Sequence, residues 1–207
     1  RAVQAQLDVA YAHYKQNEMS ITIAACDEFI HLHPSHPATD YAYYLKGLAQ
    51  FREDAGILAL IGQQDSTERE PKAAQDAFNT FNTLIKKYPT SQYAEDAKQR
   101  MGYLAHVLAA HELHVALYYL ERRSYLAAAN RGKYVLENFP LSPLREEALS
   151  IMAQGYQQLG LSDLSADASR VLKLNYPHSS FLPESERIIE SSEDPFKTKK
   201  VWWKFWQ

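Results

Sequence analysis

The sequence contains few of the residues that interrupt helices or cross-link a chain. Of its 207 residues only seven are glycine, and Cys26 is the one cysteine. A single cysteine excludes an internal disulfide, and long stretches without glycine or proline favour helix. β-Branched residues are scarce and never alternate with polar residues over the length of a strand. The composition therefore predicts an all-α fold without a sheet.

The sequence also lacks a strong charge of either sign and a long apolar run. A formal net charge of −3 at pH 7 gives no general attraction to nucleic acid, which is not expected among the partners. No apolar run reaches the roughly 18 residues of a membrane-spanning helix. Residues 2–7 already have the pattern of a helix interior, with no capping residue before them. We therefore expect a further N-terminal part, processed, disordered or removed, ahead of Arg1.

Patterns typical of catalysis or metal binding are missing as well. Five of the eight histidines fall in two groups, at His31, His33 and His36 and again at His111 and His114. The zinc-protease motif needs two histidines four residues apart, whereas the second group has a spacing of three. Neither a Ser-His-Asp order nor a glycine-rich phosphate loop is evident. We predict a protein that is not an enzyme, with no catalytic residue, no metal and no cofactor.

Four segments share one ending, which predicts a helical repeat. In each, an apolar helix pattern leads to an aromatic residue or histidine, then a proline, then a short polar turn. The prolines are Pro34, Pro89, Pro140 and Pro177. Proline cannot continue a helix and moves the residue before it out of the α region. Pro177 follows Pro140 by 37 residues, near the ~34 of a tetratricopeptide repeat (TPR).

The repeat predicts a TPR-like right-handed superhelix of helix pairs over residues 1–190, with Gly160 ending the first helix of the last pair. An insertion occupies 53–70, and residues 191–207 form a Lys/Trp-rich C-terminal tail. An ordinary helical bundle would require the four endings to be coincidental. The ten predicted helices span roughly 2–16, 19–33, 38–52, 71–88, 91–108, 109–123, 124–139, 143–159, 162–176 and 180–190.

Some segments carry features that a generic repeat does not require. They are residues 29–37, followed by Asp40-Tyr41 and Lys46-Gly47-Leu48; the end of the insertion at 65–71; residues 88–93; and the run 115–123 with Tyr118-Tyr119, which leads into Asn130-Arg131. Together they resemble the BamD family, the TPR lipoproteins of the β-barrel assembly machinery (BAM) of the Gram-negative outer membrane. The resemblance covers nearly the whole chain up to about Ser180.

The resemblance implies a non-catalytic scaffold at the periplasmic face of the outer membrane. It implies docking on the periplasmic domains of the barrel-forming subunit BamA, contact with other BAM accessory subunits, and help in receiving and inserting unfolded outer-membrane proteins. A concave helical surface suits such work, because it can hold an extended segment along many side chains. A TPR-type periplasmic adaptor for cell-wall synthesis or division is the alternative, although the insertion and the Tyr118-Tyr119 helix favour the first function.

Three departures from the family pattern are visible. The lipidated N-terminal cysteine and the first repeat are absent from this sequence, so membrane anchoring is expected only of a longer chain. Arg123 stands where similar proteins have glycine. The tail after Ser191 is not expected to belong to the shared pattern.

Arg131 is the first predicted partner contact. If its helix packs through a stripe of every third or fourth residue, Arg131 points outward beside Tyr134. An exposed arginine next to an exposed tyrosine is typical of interface anchors, and arginine can hold a carboxylate with two N–H groups. The resemblance implies that this position meets BamA, and the alternative is a solvated helix face. The inward stripe is predicted to be Tyr125, Ala129, Gly132, Leu136 and Phe139.

Tyr119, Arg122 and Arg123 complete the predicted BamA-binding site. Adjacent tyrosines on one helix cannot both face the core, so one of Tyr118 and Tyr119 should pack while the other is partly exposed near the two arginines. A tyrosine buried in the core with its hydroxyl at the rim is the alternative.

Two further surfaces are predicted. Tyr41, Tyr43 and Tyr44 form a client-binding groove, on a side that the family associates with client segments; the alternative is packing within a helix pair. In the tail, lysines alternate with aromatic residues, which suits a membrane interface or a partner groove. The alternative for the tail is a cap on its own last repeat. The predicted tail contacts are Trp202, Trp203, Trp206 and Lys204.

Overall fold

The computed structural model describes residues 2–60 and 72–182, with side chains for 3–52 and 72–182. Within those ranges the chain forms eight α-helices and no strand. The helices are α1 (Ala2–Lys15), α2 (Met19–Leu32), α3 (Thr39–Leu60), α4 (Lys72–Lys87), α5 (Ala94–Glu121), α6 (Tyr125–Asn138), α7 (Arg145–Gln158) and α8 (Ser162–Asn175).

The helices stack in chain order. Each helix packs against the next, α1 also contacts α3, and α5 also contacts α7. This pattern is that of successive helix pairs, α1/α2 to α7/α8, in which each pair touches its neighbours. The largest buried cluster runs from Ala74 in α4 through α5 and α6 to Ile151 in α7. The predicted all-helical, TPR-like fold is confirmed, and the right-handed superhelix stays a prediction.

Two helix boundaries differ from the sequence prediction. The ranges 91–108 and 109–123 are one continuous helix, α5, because this stretch has no proline and its one glycine, Gly102, costs a helix only about 1 kcal/mol. The helix predicted over 38–52 continues to Leu60 as α3. The tenth predicted helix, 180–190, falls almost entirely outside the described residues.

The four prolines follow four equivalent helix ends. In each, the N–H of the residue before the proline donates to the carbonyl four residues earlier, at 2.8–3.0 Å. The N–H two residues after the proline then donates back to the carbonyl of the residue before it, at 3.0–3.1 Å. The repeated ending predicted from sequence is therefore confirmed in structure. The residues before the prolines are His33, Tyr88, Phe139 and Tyr176.

The short turn inside a helix pair repeats three times, with one residue in the left-handed region. Asn17, Arg123 and Gly160 have φ of 64°, 59° and 73°. Each donates its N–H to a carbonyl three residues back, and the next residue donates five residues back, at 2.9–3.1 Å. This is the arrangement in which helices commonly end at glycine. Gly160 ends α7 as predicted, and Arg123 occupies a position that favours glycine.

Arg123→Gly is expected to stabilise the protein. A residue with a Cβ in the left-handed region costs about 1–2 kcal/mol, which glycine avoids. The Arg123 side chain is exposed, so few contacts are lost, and the free energy of unfolding should rise by about 1 kcal/mol. Thermal unfolding should then shift upward by roughly 2–4 °C for a chain of this size. Gly160→Ala, the reverse change in the matching turn, should lower the midpoint temperature of unfolding. A lower midpoint temperature for Arg123→Gly would show that Arg123 is not strained at this turn.

Two glycines bring α6 and α7 into close contact. A Cβ on Gly132 would lie 2.8 Å from the carbonyl oxygen of Ala148, and a Cβ on Gly155 would lie 2.9 Å from that of Tyr125. Since both obstacles are backbone atoms, neither helix can yield without shifting. The glycines therefore set the spacing between α6 and α7, and Gly132 immediately follows Arg131.

Candidate partner-binding site

Arg131 forms an ion pair with α5. Its Nη1 donates to Glu112 Oε2 at 2.8 Å, and the two side chains are 43% and 16% exposed. The hydrogen bond to Glu112 raises the pKa of Arg131, and Tyr119 acts in the same direction. Nearly half of the arginine side chain remains open to solvent. Glu112 holds one N–H of the guanidinium, and we call the part of the group that stays open to solvent its free edge.

The packed face of α6 is close to the predicted one. Ala129, Gly132 and Phe139 are buried as predicted, Leu136 packs against the core, and Ala128 and Val135 are buried as well. Arg131 lies directly beside this face, at the border facing α5. It is therefore a partly buried, paired arginine and not a freely solvated one.

Glu112 was missed by the sequence reasoning. It is the only Asp, Glu, Lys or Arg between Arg100 and Glu121. A single charge in so long a neutral stretch of helix needs a partner when it is partly buried. That signal could have directed attention to an arginine on the neighbouring helix.

The two adjacent tyrosines of α5 divide as predicted. Tyr119 packs against the core, whereas Tyr118 is 49% exposed. The guanidinium of Arg122 lies 5.0 Å from the centre of the Tyr118 ring, a cation–π contact. Arg122 and Arg123 are both exposed at the α5–α6 turn. This end of α5 thus carries an exposed tyrosine with two positive charges.

Tyr134 sits on the outer side of α6. Its side chain is 40% exposed, and its ring meets the edge of Phe139 with 5.9 Å between centroids. Because Phe139 is buried, Tyr134 is supported from one side and open on the other. We call the predicted partner-binding set the α5–α6 patch. Its residues are Arg131, Tyr134, Tyr119, Arg122 and Arg123.

The three tyrosines of α3 do not line one groove. Tyr41 and Tyr44 both contact Tyr93 of the following pair, with ring centroids 5.4 and 4.7 Å apart. Tyr43 points elsewhere, and its hydroxyl accepts a hydrogen bond from Lys87 Nζ at 3.1 Å. All three are half-buried, Tyr41 and Tyr44 through contacts between helix pairs and Tyr43 through contacts within the α3/α4 pair.

Tyr44 belongs to a charged network between α3 and α5. Its hydroxyl donates to Asp96 Oδ2 at 2.7 Å, and Arg100 Nε donates to the same oxygen at 2.6 Å. Burial, together with the hydrogen bond to Asp96, raises the pKa of Tyr44 to about 12. Burial opposes the charged form of Asp96, but the hydrogen bonds from Arg100 and Tyr44 outweigh it and hold the pKa of Asp96 below its usual range.

Tyr41 also borders an open pocket of about 540 Å³ between α1, the first proline turn and the start of α5. Two carboxylates, Asp8 and Asp40, lie in its wall. Oδ2 of Asp40 already accepts a hydrogen bond from Ser91 at 2.7 Å. This pocket is the part of the predicted groove that remains open to solvent.

The first histidine group packs rather than gathering around a common centre. The rings of His33 and His36 lie 5.3 and 5.5 Å from the ring of Phe29. Among the described residues no group of three His, Cys, Asp or Glu side chains is arranged to hold a metal ion. None of the described helices is long and apolar enough to cross a membrane.

The residues of the tail lie outside the described residues. This applies to Trp202, Trp203, Lys204 and Trp206, whose contact with a partner or a membrane stays a prediction.

The fold and the α5–α6 patch define a class of protein: an all-helical, TPR-like repeat with a half-buried, ion-paired arginine near exposed basic and aromatic side chains. Comparison with known proteins narrows the class. A family model described as "Outer membrane lipoprotein" (YfiO) matches residues 1–172. The chain belongs to this family, whose named relatives are called BamD.

Individual relatives share the same name, "Outer membrane protein assembly factor BamD". The protein of Neisseria meningitidis serogroup B is 42% identical over 205 residues, covering 99% of this chain and 73% of the relative. That of Neisseria gonorrhoeae is 40% identical over the same length, and that of Vibrio cholerae is 34% identical over 172 residues, 83% of this chain. The Neisseria alignments extend into the tail, whereas the family model ends at residue 172. The departure of the tail from the shared pattern stays a prediction.

Proposed function

We propose that this chain is a non-catalytic scaffold subunit of the outer-membrane β-barrel assembly machinery. It docks on the periplasmic domains of a BamA-type subunit and helps receive unfolded outer-membrane proteins. The observation that carries the proposal is the Arg131–Glu112 pair in a chain whose relatives are named outer membrane protein assembly factors. The family's description supports outer-membrane association, and we propose the periplasmic face, through an N-terminal lipid.

The α5–α6 patch has the chemistry of a docking surface. Interface hot spots are enriched in arginine and tyrosine, and they work best when the side chain is held in place before binding. Glu112 holds one edge of Arg131, and the free edge can take a carboxylate of the partner through charge-assisted hydrogen bonds. Arg122, Arg123 and Tyr118 then extend the positive and aromatic surface along the end of α5.

Client binding is proposed for the N-terminal helix pairs, through one tyrosine, Tyr41, and not through all three that the sequence predicted. Tyr43 and Tyr44 are engaged with Lys87 and Asp96, and neither lines the open pocket. Tyr41 borders the open pocket with Asp8 and Asp40 and is the tyrosine best placed to touch an extended segment. Contact with further BAM accessory subunits is proposed from the family alone.

The test is a capture experiment. The full chain serves as bait in detergent-solubilised outer membranes, and co-purifying proteins are identified by mass. Recovery of a large β-barrel protein with periplasmic domains is the expected result. The same recovery is expected with Lys133→Glu, which reverses an exposed charge on α6, the helix that carries Arg131. Recovery of cell-wall synthases or division proteins without that β-barrel protein would overturn the proposal and favour a periplasmic adaptor.

A further inference from the structure

The last described helix presents an apolar outer face. Leu164, Val171 and Leu174 are 47%, 40% and 75% exposed. Their spacing of seven and three residues places them on one side of α8. An exposed apolar patch of this kind on a polar protein marks a contact surface more often than a single exposed leucine does.

This face is peculiar to the last repeat. The three residues stand 13, 6 and 3 positions before Pro177, and the other helices that end at a proline can be compared at the same positions. There, most of the residues are polar or charged, and none of the three helices is apolar at all three. The equivalents are Ile21, Glu28 and His31 in α2; Asp76, Thr83 and Lys86 in α4; and Ala127, Tyr134 and Glu137 in α6.

We propose that the apolar face of α8 binds the aromatic C-terminal tail of the same chain. The tail supplies Phe196, Trp202, Trp203, Phe205 and Trp206, which match an apolar surface in chemistry. It also supplies Lys197, Lys199, Lys200 and Lys204. Asp163 and Asp167 are exposed on α8 within a turn of Leu164. Because Asp167 is already paired with Arg170 at 2.7 Å, Asp163 is the acidic side chain best placed to receive a lysine of the tail.

The connection is long enough for this contact. Fourteen positions separate Leu182, the last described residue, from Phe196. An extended chain spans about 3.3–3.6 Å per residue, which gives a reach of roughly 46–50 Å. The 14 residues of α8 extend only about 21 Å at 1.5 Å per residue. The tail can therefore reach every part of the face.

The structure thus favours one of the two roles that the sequence left open for the tail. Cationic and aromatic residues suit a membrane surface, but a terminal repeat also needs its outer apolar surface covered. The apolar face of α8, which the other proline-ended helices lack, supplies a binding surface for the tail within the same chain. Contact of the tail with a membrane is the alternative that the test below distinguishes.

Tryptophan fluorescence tests this contact directly, because all three tryptophans of the chain lie at 202, 203 and 206. In the full chain without lipid we expect blue-shifted emission and weak quenching by acrylamide. The triple variant Leu164→Gln, Val171→Gln, Leu174→Gln should lose the blue shift and be quenched as readily as free tryptophan. All three side chains are at least 40% exposed, so helical circular dichroism should be unchanged.

Ile21→Gln is the matched control. Ile21 stands at the same repeat position as Leu164 and is 49% exposed, so its replacement should leave the emission unshifted. The unaltered chain could instead emit at the wavelength of free tryptophan and shift to the blue only when phosphatidylglycerol vesicles are added. That result would overturn the proposal in favour of a membrane contact. A blue shift that disappears on dilution would overturn it in favour of a second copy of the chain.

Discussion

Arg131→Glu is expected to weaken binding to the periplasmic domains of a BamA-type partner about tenfold or more, a loss of at least about 1.4 kcal/mol. The substitution removes the charge-assisted hydrogen bonds that the free edge of the guanidinium offers. It also places a second carboxylate beside Glu112, whose side chain is only 16% exposed. Like charges at an interface oppose association with an acidic partner site. Calorimetric titration of purified partner domains measures the effect.

Three further variants separate loss of contact from loss of structure. Arg131→Gln removes the positive charge without adding a carboxylate, and it should still lower the affinity severalfold. Glu112→Gln keeps an acceptor for Arg131 but weakens the pair, and it should cost less than either change at Arg131. Lys133→Glu reverses a charge that is 56% exposed on the same helix and should leave the affinity unchanged. Unaltered affinity for both Arg131 variants, with helical circular dichroism intact, would remove Arg131 from the interface.

The orientation of α6 about its axis could be predicted from the sequence only approximately. The helix contains three consecutive alanines at 127–129 and the adjacent pair Val135-Leu136. The helical period alone does not decide which of Val135 and Leu136 packs more deeply. The sequence predicted Leu136, and the structure buries Val135 fully while Leu136 also packs against the core. The packed face is therefore wider on the Val135 side than predicted, which places Arg131 at the border with α5, where it meets Glu112.

Helix ends were predicted correctly where a residue at the end itself causes the helix to stop. The four proline endings follow from the missing N–H and the fixed ring of proline, and the prediction needed no knowledge of packing. Gly160 likewise ends α7 with positive φ. The partners of Tyr41 and Tyr44 could not be predicted in this way. Tyr93 is about fifty positions further along the chain, and only the stacking of helix pairs brings the rings together.

Glycine-to-alanine changes are expected to have opposite signs at two positions of the same fold. Gly155→Ala should lower the free energy of unfolding by up to about 2 kcal/mol. The new Cβ meets the carbonyl oxygen of Tyr125 at 2.9 Å, and overpacking costs about 1–3 kcal/mol, against a helix-propensity gain of about 1 kcal/mol. Gly102→Ala should raise it by up to about 1 kcal/mol, because nothing lies within 4 Å of its Cβ. Chemical denaturation of both variants gives the comparison.

The same pair of variants connects packing to docking. Gly155 lies on α7, away from the α5–α6 patch, yet its contact fixes the position of α6 and with it the guanidinium of Arg131. If α6 must shift to admit a Cβ, the Arg131–Glu112 distance changes, and partner affinity should fall together with stability. Gly102→Ala leaves α6 in place and should preserve the affinity. A stabilising effect of Gly155→Ala would mean that the helices separate freely, and the close α6–α7 crossing could not then be what positions Arg131.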